Sequence, residues 1–210
     1  EAALTGQEEL VVAAAIDALK KLPKSDGRLQ LFNHSASSTT EGNFQKAGGQ
    51  RVAIIGAGPA GLSAAHDLAL LGFRPVVFES EPVPAGMLAL GVPAYRLPRN
   101  VIEREIAVIQ ALGVEIRCNT SVGTDVQIED LRRDYSAIVV AVGAKSSRGL
   151  GLPGEQGPGV LGGVDLLRAV SLNEPLAIGH RVVVIGGGNV AYDVARTVVR
   201  QIAYDTARTA

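Results

Sequence analysis

Val52-Ala53-Ile54-Ile55-Gly56-Ala57-Gly58-Pro59-Ala60-Gly61, followed by Pro75-Val76-Val77-Phe78-Glu79, is the stretch that decides the fold. The run Val52 to Ile55 is short, continuous and apolar, the signature of a strand buried on both faces. An Ala/Leu-rich segment reads as a helix to about Leu71, stopped by Gly72, and residues 75–79 read as a second strand. Strand, glycine turn, helix and strand therefore fall within residues 51–79, the content of one βαβ unit.

A lone G-x-G-x-x-G is a weak signal. Here it has a strand before it, a helix after it and an acid, Glu79, 18 residues beyond Gly61. Each residue type has its reason. Gly56 allows the tight turn. Gly58 has no Cβ, so a pyrophosphate can approach backbone amides at a helix N-terminus, where unpaired N–H groups and the helix dipole favour anions. Gly61 lets the helix lie close on the strand. Pro59 sits in the first turn, where its missing N–H costs little. Glu79 can accept hydrogen bonds from both hydroxyls of an adenosine ribose, and its charge disfavours a 2′-phosphate there. The expected fold class is α/β, a Rossmann-like dinucleotide-binding domain.

Downstream, residues 81–98 are irregular, with φ fixed by Pro82, Pro84, Pro93 and Pro98. A helix is expected next, with Asn100 as N-cap, Glu103 completing a capping box and Ile102, Ile106 and Ile109 on one face. Gly113 ends it. A strand through Val114, Ile116 and Cys118, a short helix over 128–134, a buried strand over 137–142 and a helix over 164–171 complete the pattern.

Arg181-Val182-Val183-Val184-Ile185 then reads as another strand, leading into Gly186-Gly187-Gly188-Asn189-Val190-Ala191. This is G-x-G-x-x-A, with Ala191 as the packing residue, 130 residues after the first turn. Two dinucleotide turns suggest two dinucleotides, most economically a flavin and a nicotinamide that exchange a hydride. Ala191-Tyr192-Asp193-Val194-Ala195-Arg196-Thr197 nearly recurs at 203–209, which a long helix broken near Gln201 would explain.

Upstream, residues 8–21 read as a helix stopped before Pro23, and the Gly/Ser/Thr-rich stretch 33–50 as a linker or strap. The domain reading is thus 1–50 as helical extension and linker, 51–180 as the first dinucleotide domain, and 181–210 as the start of a second.

Composition narrows the function. Of 210 residues, 47% are hydrophobic, so a core is within reach. Twenty basic residues against 21 acidic ones (net −1) remove the electrostatic case for nucleic acid or an anionic membrane. The sequence shows no spanning run of 18 apolar residues. Glu1-Ala2-Ala3-Leu4 lacks the features of a signal peptide, which suggests the cytoplasm, and the reading allows for a longer protein. The single Cys118 cannot supply four thiolates, so any iron–sulfur cluster belongs to other polypeptide; it reads as a small core residue. His34, His66 and His180 have no metal-ligand spacing, and Arg196 and Arg200, one helical turn apart, read as a solvated helix face or, alternatively, as facing a phosphate.

The run Val52 to Glu79, then Gly86-Met87-Leu88, Gly91-Val92-Pro93, Arg96-Leu97-Pro98, Leu112 to Ile116, Ala141-Val142-Gly143-Ala144 and Gly151-Leu152-Pro153-Gly154-Glu155 resembles the small-subunit family of NADPH-dependent glutamate synthase. That family includes matching domains of dihydropyrimidine dehydrogenase and NADPH-binding subunits of electron-bifurcating complexes. The resemblance covers about 51–200. It implies a flavoprotein of the type that binds two dinucleotides, with an FAD-binding domain and the start of an NAD(P)-binding domain.

By that resemblance, Gly56, Ala57, Gly58, Pro59, Ala60 and Gly61 hold the FAD pyrophosphate and Glu79 the ribose. Gly86, Met87 and Leu88 run beside the flavin, Arg96 touches it, the Val122 backbone meets the adenine side, and Gly143 completes the set. Gly187, Gly188, Asn189, Val190 and Ala191 receive the pyrophosphate of NAD(P)H. The sequence departs from the family at Ala85, usually glycine, where a methyl group is accommodated if φ is negative. It departs again at Val142, where threonine is usual. The implied activity is that of an oxidoreductase subunit passing electrons between NAD(P)H and iron–sulfur subunits or domains of a larger complex through FAD. NADH and NADPH both stay open, with Ala191 leaning towards NADP. The alternatives are a non-catalytic subunit that binds FAD structurally, and a nucleotide-binding regulatory domain without flavin.

Overall fold

β1 (Arg51–Ile55) is the hinge of a four-stranded parallel sheet with β2 (Arg74–Phe78), β3 (Glu115–Arg117) and β4 (Ala137–Val140), in the order β3-β2-β1-β4. The computed structural model describes residues 49–209, with side chains through Ala203. The expected helix over 8–21 and nearly all of the 33–50 linker lie outside the described residues.

Two compact units form. The first runs through Pro84 and resumes over Glu105–Val142; the second comprises Ala85–Arg104 and the chain from Gly143. In the first, β1 pairs with β2 through Ala53↔Val76 and Ile55↔Phe78, and with β4 through Ile54↔Val139 and Ile55↔Val140. β2 pairs with β3 through Val77↔Ile116. One sheet face packs Ala53, Val76 and Phe78 on Leu131 of α4 (Ile128–Asp134), with Ile55, Tyr135 and Ile138 around them. The alternate residues Val52, Ile54 and Val77 are also fully buried. Burial of both faces explains why β1 reads as unbroken apolar sequence, and each large side chain so buried contributes about 1.5–3 kcal/mol.

α1 (Pro59–Leu70) starts with Pro59 in its first turn and buries Leu62, Ala65, Leu68 and Ala69. Gly72 ends it at φ +86°, donating its N–H to the Ala69 carbonyl at 2.9 Å. The chain then enters β2.

α3 (Arg99–Ala111) begins two residues earlier than the capping box requires, so Asn100 lies inside its first turn instead of capping it. Asn100 instead offers its carbonyl to Arg104 Nε at 3.2 Å. Ile102 is buried, with Ile106 and Ile109 half-buried, on the expected face.

In the second unit, α5 (Gly163–Ser171) and α6 (Asn189–Thr209) pack through Leu166, Leu167, Val194 and Val198. α2 (Met87–Leu90) is a single turn. Residues 181–185 do not form the expected strand. A parallel strand exists through its ladders, and the described residues give this segment none, so Val183 stays 86% and Ile185 71% exposed. α6 is the long helix expected from the near-repeat, and it runs unbroken through Gln201.

Candidate nucleotide-binding turns

The first glycine turn lies where β1 ends. The chain leaves β1 towards β2 on one side, while β4 lies on the other, so the order reverses at this point. Crevices at such a switch point are where open α/β sheets bind ligands. Gly56 sits at φ +104°, and a Cβ there would run into the Ala141 carbonyl beyond β4. Its N–H donates to the Phe78 carbonyl at 2.8 Å, and Ala141 N–H donates to Ile55 at 2.8 Å, which ties the turn to both neighbouring strands.

Gly61 faces inward, where a Cβ would collide with the Gly56 carbonyl. Gly58 is the opposite case. It has ordinary φ (−71°) and nothing within 4 Å of where its Cβ would stand. No structural neighbour therefore requires glycine at 58, and the space above its backbone is open. Leu62 N–H makes the first helical bond, to Gly58 at 2.9 Å, so the amides of Ala60 and Gly61 precede the helical ladder. Pro59 and Ala60 are exposed at this helix start. The cradle fits a diphosphate: bare backbone, early amides and the positive end of the dipole.

Glu79 follows β2 and is only 4% exposed. Its Oε2 accepts the Ala57 N–H at 2.7 Å. Its Oε1 accepts the Glu81 N–H at 2.9 Å and the Ser80 hydroxyl at 3.3 Å. Backbone bonds from Glu79 N–H to Arg117 and from Thr120 N–H to Glu79, both 2.8 Å, fix its position. A carboxylate oxygen accepts more than one donor, and these bonds orient the group. Cys118, beside this acid, has its thiol pKa pushed up, first by burial and then by the Glu79 charge. Cys118 is half-buried and lies outside the core clusters, short of the core position expected from sequence. Val122 is half-buried against the Phe78 cluster, and its backbone bridges to Val126.

In the second unit, Gly86 has φ +52° and ψ −128° and caps α2. Ala85 before it is buried at φ +81°, so the negative φ that would accommodate its methyl without strain is not present. Consecutive positive φ values turn the chain sharply into Met87, and the methyl is tolerated at a cost in strain. Arg99 staples this segment, donating from Nη1 to Leu88 O (3.0 Å) and from Nη2 to Val92 O (2.9 Å) and Ser171 Oγ (3.2 Å). Ser171 in turn donates to Leu90 O at 3.1 Å. Leu88 is partly exposed, and Gly143 has φ +66° with open space around it. Arg96 Nη1 meets Asp193 Oδ2 at 2.7 Å.

The second glycine turn shares with the first a positive φ at its leading glycine and an open backbone at the helix start. Gly186 has φ +136°, Gly187 and Gly188 have nothing within 4 Å, and Tyr192 N–H bonds Gly188 at 3.2 Å as Leu62 bonds Gly58. A Cβ on Gly186 would sit 3.3 Å from the Ala191 methyl, so alanine fits where the first turn needs Gly61. Asn189 and Val190 are exposed at the start of α6.

Sequence reasoning missed Asp193, Tyr95, Arg99 and Ser171. Asp193 alone had a visible signal, an acid on the apolar stripe of a helix. The others are recognisable only through the carbonyls and carboxylate they reach.

Comparison with known proteins supplies the lineage. The profile of the family described as pyridine nucleotide-disulphide oxidoreductase matches residues 50–206. The chain is 50% identical over 156 residues to the NADP(+)-dependent formate dehydrogenase subunit beta of Moorella thermoacetica, covering 73% of this chain and 22% of that protein. It is 42% identical over 164 residues to the glutamate synthase [NADPH] small chain of Escherichia coli, covering 73% and 35%. Among solved structures, Mycobacterium tuberculosis FprA in complex with NADPH matches with a TM-score of 0.61 and 33% identity, over 70% of this chain and 36% of FprA. The chain thus spans between about a fifth and two fifths of these relatives. The profile match over residues 50–206 establishes that the chain belongs to the pyridine nucleotide-disulphide oxidoreductase family.

Proposed function

We infer that this chain is part of a flavin-dependent NAD(P)H oxidoreductase that passes electrons between NAD(P)H and iron–sulfur partners through FAD. The observation that carries the reading is the open backbone at Gly58 beside a buried, oriented Glu79, repeated in its backbone part at Gly188. FAD, when bound, takes up a hydride and gives up electrons singly, which suits it to join nicotinamide and iron–sulfur carriers.

The chain's own residues bind and orient. The amides that open α1 hold the FAD pyrophosphate, and Glu79 holds the adenosine ribose. The amides of Gly188 to Ala191 hold the pyrophosphate of the nicotinamide dinucleotide. The family resemblance adds Gly86, Met87, Leu88, Arg96, Val122 and Gly143 to the flavin-binding set. Hydride exchange between two rings needs no acid–base dyad, so binding and alignment are the protein's contribution.

One cysteine in the sequence leaves iron–sulfur ligation to other polypeptide. A relative named NADPH-Fe(3+) oxidoreductase subunit beta, 40% identical over 173 residues, and the small-chain and beta-subunit names of the others support work within a complex. The reading places that complex in the cytoplasm; among the described residues no helix is long and apolar enough to cross a membrane.

The test is anaerobic addition of NADH and of NADPH, separately, to the native assembly while its visible spectrum is followed. Bleaching of a bound flavin by either is expected, and the more effective one names the donor. A flavin that stays oxidised with both would mean a structural cofactor. Bound nicotinamide nucleotide with no flavin would mean a regulatory domain.

A further inference from the structure

Asp193 is an acid buried to 5% exposure on α6, one helical turn beyond Asn189. Both of its oxygens are taken by one loop: Oδ1 accepts the Tyr95 hydroxyl at 3.1 Å and Oδ2 accepts Arg96 Nη1 at 2.7 Å. The guanidinium of Arg200, further along α6, lies 3.9 Å from the centre of the Tyr95 ring, so helix and loop interlock twice. Among the described residues, 181–185 form no ladder, so no strand precedes this helix.

A buried carboxylate here has a specific cost. Five residues separate it from Gly188, about 7.5 Å along a helix axis. That is within the screening length of about 8 Å at physiological salt, so a bare carboxylate would repel a diphosphate at the N-terminus of α6. It would also cancel part of the positive end of the helix dipole. Arg96 removes that charge while the two-pronged contact fixes the rotation of α6 about its axis.

We propose that Arg96 and Asp193 form a positioning pair for the second glycine turn: Arg96 neutralises Asp193 and sets the azimuth of α6, so that the amides of residues 188–191 accept a nicotinamide dinucleotide diphosphate. The inference rests on the nucleotide reading of that turn. It gives Arg96 a task in addition to any contact with flavin, and it lies wholly within the second unit.

The experiment measures dissociation constants of NAD+ and NADP+ for the native holoprotein, with flavin content and thermal stability followed in parallel. Arg96→Gln, which keeps a donor but strands the buried charge, should weaken binding about tenfold or more, since removing one partner of a buried pair costs more than removing both. Arg96→Lys should stay within about threefold of wild type because the charge remains. Arg96→Gln combined with Asp193→Asn should recover to within about threefold. A merely structural contact would lower thermal stability without that recovery, and loss of flavin through Arg96 would not be cured by a change at Asp193. Equal affinity in all variants, or a double variant as weak as Arg96→Gln, overturns the pair. If Gly188→Val, which fills the open space, binds nucleotide as wild type does, the reading of the turn itself fails.

Discussion

Glu79 Oε2 receives the Ala57 amide at 2.7 Å, joining the acid that ends β2 to the middle of the glycine turn that ends β1. The residue that would read the ribose is therefore also the one that holds the diphosphate cradle in shape, and its loss should be felt in both ways.

Glu79→Ala strands the buried amides of Ala57 and Glu81, and hydrogen bonds to a charged group are worth about 1.5–3 kcal/mol. A stability loss of about that size in urea unfolding is expected, together with a large fall in FAD per protein. His66→Ala, on the outer side of α1 beside Asp67, should retain its flavin. Equal flavin content in the two variants would refute the assignment of Glu79.

The glycines of the first turn should separate binding from folding. Gly58→Ala adds a methyl to empty space at an ordinary φ, so stability should change by less than about 1 kcal/mol while FAD affinity falls. Gly61→Ala meets the Gly56 carbonyl and should destabilise by about 1–3 kcal/mol or prevent folding. Thermal unfolding of the two variants, set beside flavin retention, checks the contrast.

Ala85 offers a gain. Its φ of +81° belongs to glycine's territory, where a Cβ costs roughly 1–2 kcal/mol. After allowance for the lost methyl and a freer unfolded chain, Ala85→Gly should stabilise by about 0.5–1 kcal/mol. Gly86→Ala, at φ +52° and ψ −128°, should do the reverse and cost about 1–3 kcal/mol. Urea midpoints measured side by side decide it.

Cys118 sets a pH dependence. Burial and the neighbouring Glu79 carboxylate keep its thiol protonated in the folded chain to higher pH than in the unfolded chain. The unfolded thiol therefore ionises first as pH rises, and this stabilising contribution, full below the ordinary thiol range, is lost above it. Stability should fall between neutral pH and about pH 10 in wild type by more than in Cys118→Ala, measured by urea unfolding. An identical decline in the two would remove the thiol as the cause.

Much of this was legible in the sequence, for physical reasons. β1 and its turn were readable because burial on both faces and close backbone approach leave few residue types admissible, and Gly56, Gly58 and Gly61 each meet a different demand. α4 and α5 form where helices were expected, whereas the strand expected to be buried over 137–142 ends at Val140 and is half-buried, with Val140 44% and Val142 57% exposed. The start of α3 was misread because Asn100 and Glu103 satisfy a capping pattern that the backbone, already helical at Arg99, does not use. The φ of Ala85 could not be read, since a side chain that tolerates strain looks like one that has none. Residues 182–185 carry a strand's composition, but pairing depends on partners, and composition does not supply them. Arg96–Asp193 joins residues 97 apart, and no local pattern announces it.

The bare segment from Val182 to Ile185 has a practical consequence for handling the protein. Val184 packs on the Leu166–Val198 cluster, but Val183, 86%, and Ile185, 71% open to solvent, leave a β-branched, unpaired stretch that a similar strand could meet. Prepared by itself at high concentration, this chain should self-associate through that stretch. A lysine at position 183 should act as a gatekeeper and keep it dispersed in light scattering.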